Sequence, residues 1–157
     1  NVLYTKRSPE PEAEAELGIK FADMDTLLAQ SDVVSLHVPL TDETRHMINK
    51  DTLAKMKKGS YLINTARGPI VHEQALVDAL KDGNLDGAGL DVFENEPNIN
   101  AELIGMENVI LTPHTASATW EARNKMGEQS VAAILDVLSG KKPENLVDPE
   151  MWDKRRN

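Results

Sequence analysis

The sequence reads as an α/β fold built on a parallel sheet. Two observations carry this reading. Short apolar runs that suit strands alternate with runs that suit helices. The runs "DVVSLHV" and "GSYLIN" are close to continuously apolar, as expected of strands covered on both faces. No internal repeat or low-complexity segment breaks the alternation.

The elements follow in order. "NVLY" is a short strand. Pro9 opens a helical stretch that runs through Leu17, because proline is tolerated in a first helical turn. "IKF" is a short strand and "DMDTLLAQS" a helix of a turn or two. "DVVSLHV" is a buried strand, "KDTLAKMKK" a helix and "GSYLIN" a second buried strand. "EQALVDALKDG" spaces Leu76, Ala79 and Leu80 as a helix does, with Gly83 at its C-cap. "LDGAGLDV" and "NVILTP" are the last strands. A long helix runs from about Ser117 to Ser139, with Val131, Ile134, Leu135 and Leu138 on one stripe and Gly140 and Pro143 at its end. From Lys141 the chain reads as a polar, partly irregular arm.

Composition narrows the function. A chain of 157 residues can bury a real core. A net charge of −9 argues against a nucleic-acid backbone as partner. Part of that charge lies in the acids of Glu10–Glu16, which read as a solvated helix face. With no cysteine there is neither a disulfide framework nor a thiol nucleophile, which fits a reducing cytoplasm. No apolar run approaches a membrane span, no signal peptide is visible, and no membrane partner is expected. The chain opens on Asn1 directly in an apolar run and reads as lacking its native beginning.

In parallel sheets ligands bind beyond the carboxyl ends of the strands. Thr65, Ala66 and Arg67 follow "GSYLIN", Asp91 and Glu96 follow "GAGL", and His114 follows "NVIL". Parallel strands set these groups along one rim. Alone, Arg67 reads as a strand-end residue with surface salt bridges, Glu96 as a solvated acid and His114 as a loop histidine. Together they match a specific chemistry. An arginine fork suits a carboxylate and an adjacent carbonyl. A histidine can deliver a proton to a carbonyl oxygen and take it back. A glutamate on the other ring nitrogen orients that histidine and favours its protonated form. These are the parts for interconverting a 2-oxo acid and a 2-hydroxy acid, with the hydride supplied by a cofactor.

The segments "MKKGSYLINTARGPIVHEQAL", "GAGLDVFENEP" and "LTPHTASAT", with "SDVVSLHVPLTDETRHMI" before them, resemble the D-isomer-specific 2-hydroxyacid dehydrogenase family over nearly the whole chain. The opening "VLYTKRS" is most similar to its glyoxylate and hydroxypyruvate reductase branch. The resemblance implies a Rossmann-like doubly wound sheet and an oxidoreductase that reduces a small 2-oxo acid with NAD(P)H. It implies that Arg67 binds the substrate carboxylate and carbonyl, that His114 is the acid/base, and that Glu96 is its partner. Asp91 would lie near the nicotinamide. Thr65 and Ala66 would lie beside the cofactor, with Val38, Pro39, Thr44, Thr115 and Ala116 as further contacts. The full-length protein would be a homodimer. Residues 1–116 would form most of a dinucleotide-binding domain, and residues 117–157 a crossing helix and arm toward a substrate domain. Cofactor-sensing binding proteins such as corepressors share this fold and can keep the same three residues. They remain the alternative, together with an inactive fragment.

The cofactor choice has its own argument. A dinucleotide fold usually ends its second strand in an acid that binds the adenosine 2′-hydroxyl. Here "NVLY" is followed by Thr5, Lys6, Arg7 and Ser8, with no acid until Glu10. Lys6 and Arg7 would attract a 2′-phosphate that a carboxylate would repel. NADP is therefore expected, with NAD as the other possibility.

Three departures from the family stand out. The loop G-x-G-x-x-G is absent. "GAGLDV" supplies Gly87 and Gly89, but position 92 is Val and no helix follows. The first strand, which lies mid-sheet in the order 3-2-1-4-5-6, is absent too, so the halves of the sheet would have no shared neighbour. The chain alone is then expected to be inactive. His72 stands where the family usually has Asp or Asn, so the following helix should start loosely. Among the remaining residues, Glu94 reads as a solvated acid, and His46 and His72 as surface residues. His37 reads as structural or cofactor-adjacent. Trp120 opens the long helix, Trp152 anchors the tail, and no histidine pair has the spacing of a zinc site.

Overall fold

A computed structural model describes residues 1–154. The chain forms two compact units, the first spanning Asn1–His114 and the second beginning at Thr115.

In the first unit, strands and helices alternate: β1 (Leu3–Tyr4), α1 (Pro11–Leu17), β2 (Lys20–Phe21), α2 (Met24–Gln30), β3 (Val33–Leu36), α3 (Lys50–Lys55), β4 (Ser60–Asn64), α4 (Glu73–Lys81), β5 (Leu85–Leu90), α5 (Ala101–Ile104) and β6 (Val109–Leu111). All strand pairings are parallel. The strands form two separate sheets, β1-β2 and β3-β4-β5-β6, and no described strand joins β1 to β3.

The larger sheet buries one face. Val34, Leu36, Leu62, Ala88 and Leu90 join Leu28 of α2, Leu53 of α3 and Leu76, Val77 and Leu80 of α4 in one cluster. Each fully buried leucine contributes roughly 1.5–3 kcal/mol of transfer free energy. The other face is partly open, with Val33 55%, Tyr61 45% and Ile110 72% exposed. The expectation of strands covered on both faces is therefore corrected. Their apolar runs are continuous, but burial along β3 and β4 alternates, because the described helices packed on them cover one side.

Helix starts follow their caps. Asp23 accepts from the Thr26 amide at 2.8 Å to open α2, and Asn49 and Thr52 form a capping box on α3. The first helix begins at Pro11 rather than Pro9. Pro11 occupies the first helical turn, and Glu10, the residue before it, lies outside the helical region at φ −121° and ψ 84°. His72 corrects the expected loose start of α4. Its Nδ1 accepts from the Ala75 amide at 3.2 Å, so the ring does what an Asp or Asn side chain would do. Gly83 follows the Asp82 cap at φ +68°, where a side chain would be strained.

Gly87 and Gly89 lie within β5. A Cβ at Gly87 would stand 2.6 Å from the Asn108 carbonyl oxygen, and one at Gly89 would stand 3.0 Å from Ile63 Cδ1. Both glycines serve strand packing, not a phosphate loop.

In the second unit, α6 (Trp120–Leu138) starts later than Ser117, where Thr119 Oγ1 caps the Ala122 amide at 3.1 Å. No residue of α6 is buried, and Val131, Ile134, Leu135 and Leu138 are all exposed. Trp120 is exposed as well. From Lys141 the tail is irregular apart from a 3-10 turn at Pro149–Trp152, which Asp148 caps and in which Trp152 is half-buried.

Candidate active site

The carboxyl ends of β4, β5 and β6 are spliced by backbone and short side chains. Asn64, the buried last residue of β4, folds the next turn around itself. Its Oδ1 accepts from the Ala66 amide at 3.0 Å, and its Nδ2 donates to the Arg67 carbonyl at 3.0 Å. The Asn64 carbonyl accepts from the Asp91 amide at 3.0 Å, and the Asp91 carbonyl from the His114 amide at 2.9 Å. Thr112 Oγ1 donates to Asp91 Oδ1 at 2.5 Å. Asp91 is buried and holds the rim together through both backbone and side chain.

The turn carrying Arg67 also touches the "DVFENEP" loop. A Cβ on Gly68 would fall 1.8 Å from the Phe93 carbonyl oxygen and 2.6 Å from the Glu94 nitrogen. Only glycine permits that approach. Arg67 itself is exposed, with its guanidinium donating to the Ala66 carbonyl at 2.6 Å.

Glu96 and His114 meet. His114 Nδ1 lies 2.9 Å from Glu96 Oε2, while Glu96 Oε1 accepts from the Phe93 amide at 3.0 Å. Glu96 precedes a cis bond to Pro97. The His114 hydrogen bond and the Phe93 N–H hold the Glu96 carboxyl below the usual carboxylate range, against partial desolvation and the repulsion of Asp91. His114 sits at φ +52°, a left-handed conformation that side chains seldom adopt and that marks functional sites more often than others.

Other expected contacts are placed as follows. Thr65 is exposed and Ala66 half-buried on the β4 turn. Val38 and Pro39 follow β3, and Thr44 Oγ1 donates to the Pro39 carbonyl at 2.7 Å, closing that loop. Thr115 and Ala116 open the second unit, exposed. Lys6, Arg7 and Ser8 are exposed after β1, and Lys6 forms an ion pair with Glu10. His37 is exposed and bonded to Ser35 Oγ at 2.8 Å. Among the described residues no cluster of His, Cys, Asp or Glu is arranged to hold a metal ion.

The family model described as D-isomer specific 2-hydroxyacid dehydrogenase, NAD binding domain, matches residues 1–116. The chain belongs to that family. It is 49% identical over 150 residues to a glyoxylate reductase of Thermococcus litoralis, covering 96% of this chain and 45% of that one. It is 47% identical over 149 residues to a glyoxylate/hydroxypyruvate reductase B of Erwinia tasmaniensis, covering 94% and 46%. The dehydrogenase-family chain thus spans about half the length of the curated relatives it matches. Among solved structures, the TT0316 protein of Thermus thermophilus superposes with a TM-score of 0.87 at 44% identity, over 94% of this chain and 46% of that one. An NAD-complexed D-isomer specific 2-hydroxyacid dehydrogenase of Lactobacillus delbrueckii ssp. bulgaricus gives 0.84 at 34% identity, over 94% and 49%. The Rossmann-like α/β fold expected from the sequence is the one found.

Some functional groups escaped sequence reasoning. Asn64 and Gly68 shape the Arg67 turn, and their signals were the strand-final Asn and the Arg-Gly-Pro run. Glu94 corrects the reading of a solvated acid: its carboxylate takes the Glu73 amide at 3.0 Å and His46 Nε2 at 2.6 Å. His46 corrects the reading of a surface residue, since it is half-buried and bonded to Glu94, while His72 is exposed as expected; the two rings pack edge to face with centroids 5.0 Å apart.

Proposed function

We propose that these residues form the cofactor-binding and proton-transfer part of an enzyme that reduces glyoxylate, hydroxypyruvate or a similarly small 2-oxo acid to its 2-hydroxy acid. The observation that carries the reading is the His114–Glu96 pair, 2.9 Å apart, on the same strand-end rim as Arg67. The names of the relatives, glyoxylate reductase and glyoxylate/hydroxypyruvate reductase B, support the substrate class.

Arg67 offers its guanidinium to the substrate carboxylate and polarises the adjacent carbonyl. Its bond to the Ala66 carbonyl keeps the fork near the β4 end. A bound nicotinamide cofactor supplies the hydride for the carbonyl carbon. With Nδ1 engaged by Glu96, His114 gives the proton on Nε2 to the carbonyl oxygen, and the ring recovers a proton from water. Glu96, held as a carboxylate, stabilises the charged ring before transfer and fixes its orientation.

The donor set after β1 fits an adenosine 2′-phosphate: two cations and two hydroxyls, with Glu10 as the first acid. The Lys6–Glu10 pair is exposed, so a phosphate can compete for Lys6 at a cost of roughly 0–1 kcal/mol. No described residue supplies a G-x-G-x-x-G cradle, and no role in holding the pyrophosphate is assigned.

The test is NADPH- and NADH-dependent reduction of glyoxylate and hydroxypyruvate by the protein carrying these residues, with Arg67→Ala and His114→Ala alongside. Arg67→Ala should raise KM and lower turnover together. His114→Ala should lower turnover by about 10²-fold or more with cofactor affinity nearly unchanged. Wild-type turnover from His114→Ala would remove it from the reaction.

A further inference from the structure

Glu73 and Glu94 hold each other. The Glu73 amide donates to Glu94 Oε2 at 3.0 Å, and the Glu94 amide donates to Glu73 Oε1 at 2.5 Å. Glu73 is the first residue of α4, so the Glu94 carboxylate also meets the positive end of that helix. Glu73 is buried and Glu94 half-buried, and two carboxylates so placed repel unless cations or N–H groups face them. His46 supplies that group, with Nε2 2.6 Å from Glu94 Oε1. The groups facing this cluster are His46 from the loop before α3, His72 and Glu73 from the start of α4, and Glu94 from the loop after β5.

His46 is itself held in an unfavourable conformation. Its φ is +51°, one of only two such values at non-glycine positions among the described residues, and His114 is the other. Its amide donates to the Pro69 carbonyl at 2.9 Å, and its carbonyl accepts from Asn49 Nδ2 at 3.0 Å. Left-handed backbone costs an L-residue about 1–2 kcal/mol, so the loop holds the ring at Glu94 against a local preference. Glu94 lies two residues from Glu96 in the same loop. On the other side of Glu94, the Phe93 amide is the donor that fixes Glu96 Oε1. The loop is thus fastened at Glu94 by α4 and His46, and at Glu96 by His114.

We propose that His46, acting through Glu94 and Glu73, is a positioning residue for the proton-transfer pair His114–Glu96. It touches neither member. It fixes the loop segment from which Glu96 reaches His114, so its removal loosens the pair while the sheet stays intact. This inference rests on the dehydrogenase reading only for the consequence on turnover; the positional claim stands on geometry.

The test uses the 15N-labelled protein with His46→Gly, which removes the ring and relieves the left-handed strain, and Glu94→Gln, which keeps an acceptor but removes the charge. Amide exchange at Phe93 and Glu94 should accelerate about tenfold or more, while β4 and β5 amides keep their protection. The His114 ring nitrogens should lose the signature of an Nδ1–H bonded to carboxylate. His46→Asn, which tolerates the backbone and offers a shorter donor, should restore part of both. An unchanged His114 ring spectrum alongside faster Glu94 exchange would overturn the proposal, leaving the cluster as a staple for α4 alone. Loss of protection throughout β4 and β5 in both variants would overturn it too. These outcomes need no turnover, so they remain distinct from failure of the enzymatic reading. In a protein that does reduce glyoxylate, His46→Gly should lower kcat with little change in KM.

Discussion

Gly68 and Phe93 lie in such close backbone contact that a single methyl group on Gly68 would stand 1.8 Å from the Phe93 carbonyl oxygen. Gly68 follows the arginine proposed to bind substrate, and Phe93 sits three residues before the glutamate that meets His114. The contact therefore locks two loops that carry different parts of the site. Neither backbone can retreat easily, because Asn64 ties both to β4.

Gly68→Ala should consequently cost about 3 kcal/mol or more, the range of severe overpacking against backbone. Gly89→Ala is the control. Its new Cβ would meet only the end of the Ile63 side chain, at 3.0 Å, which can turn away. A smaller loss of about 1 kcal/mol is expected there. Urea unfolding of the two variants checks the ordering, and equal losses would show that the Gly68 loop can move.

The same contact explains what the sequence could and could not tell. Strand and helix order was legible because apolar runs and caps are local signals, and the rim position of Arg67, Glu96 and His114 followed from parallel topology. Partner choice among the acids was not legible. Glu94 and Glu96 look alike in "DVFENEP", and only the three-dimensional path of the loop sends one to His46 and α4 and the other to His114. Left-handed backbone at His46 and His114 is likewise hidden, since no glycine marks it. The cap at His72 is hidden as well, because an imidazole Nδ1 can accept from a backbone amide as a carboxylate does.

Glu96→Gln tests the electrostatic half of the pair. Glu96 is depressed chiefly by its bond to His114 and next by the Phe93 amide. A depressed carboxyl adds stability that is present above its unfolded value and lost as pH falls through the lower folded value. The wild type should therefore lose this contribution only below the ordinary Glu value of 4.5. The variant should lack it at all pH values. Glu96→Gln also removes the charge beside the ring Nδ1, so turnover in 2-oxo acid reduction should fall. Unchanged turnover would exclude Glu96 as the partner.

The proposed preference for NADP can be tested on three exposed side chains. Neutralising Lys6 and Arg7 should weaken NADPH binding far more than NADH binding, because each charge-assisted bond to a 2′-phosphate is worth roughly 1.5–3 kcal/mol. The Lys6–Glu10 ion pair adds an opposite arm. Glu10→Gln should release Lys6 and tighten NADPH by a few-fold while leaving NADH unchanged. Titration of both cofactors decides it, and parallel losses with both would point to damage at the β1 end.

His114→Asn separates the cost of the site from its purpose. His114 is held at φ +52° by its amide bond to the Asp91 carbonyl and by its ring bond to Glu96. Asparagine enters left-handed backbone more readily than other non-glycine residues, and its side chain can still donate to Glu96. It cannot exchange a proton near neutral pH. His114→Asn should therefore unfold within about 0.5 kcal/mol of the wild type, while reduction of glyoxylate falls by about 10²-fold or more. His114→Ala keeps the strain without the ring bond, so it should be the less stable of the two by about 1 kcal/mol. Paired unfolding and turnover measurements on both variants check this. Substantial turnover from His114→Asn would show that the proton comes from another group, and an alanine variant as stable as the asparagine one would show that the left-handed backbone carries no strain.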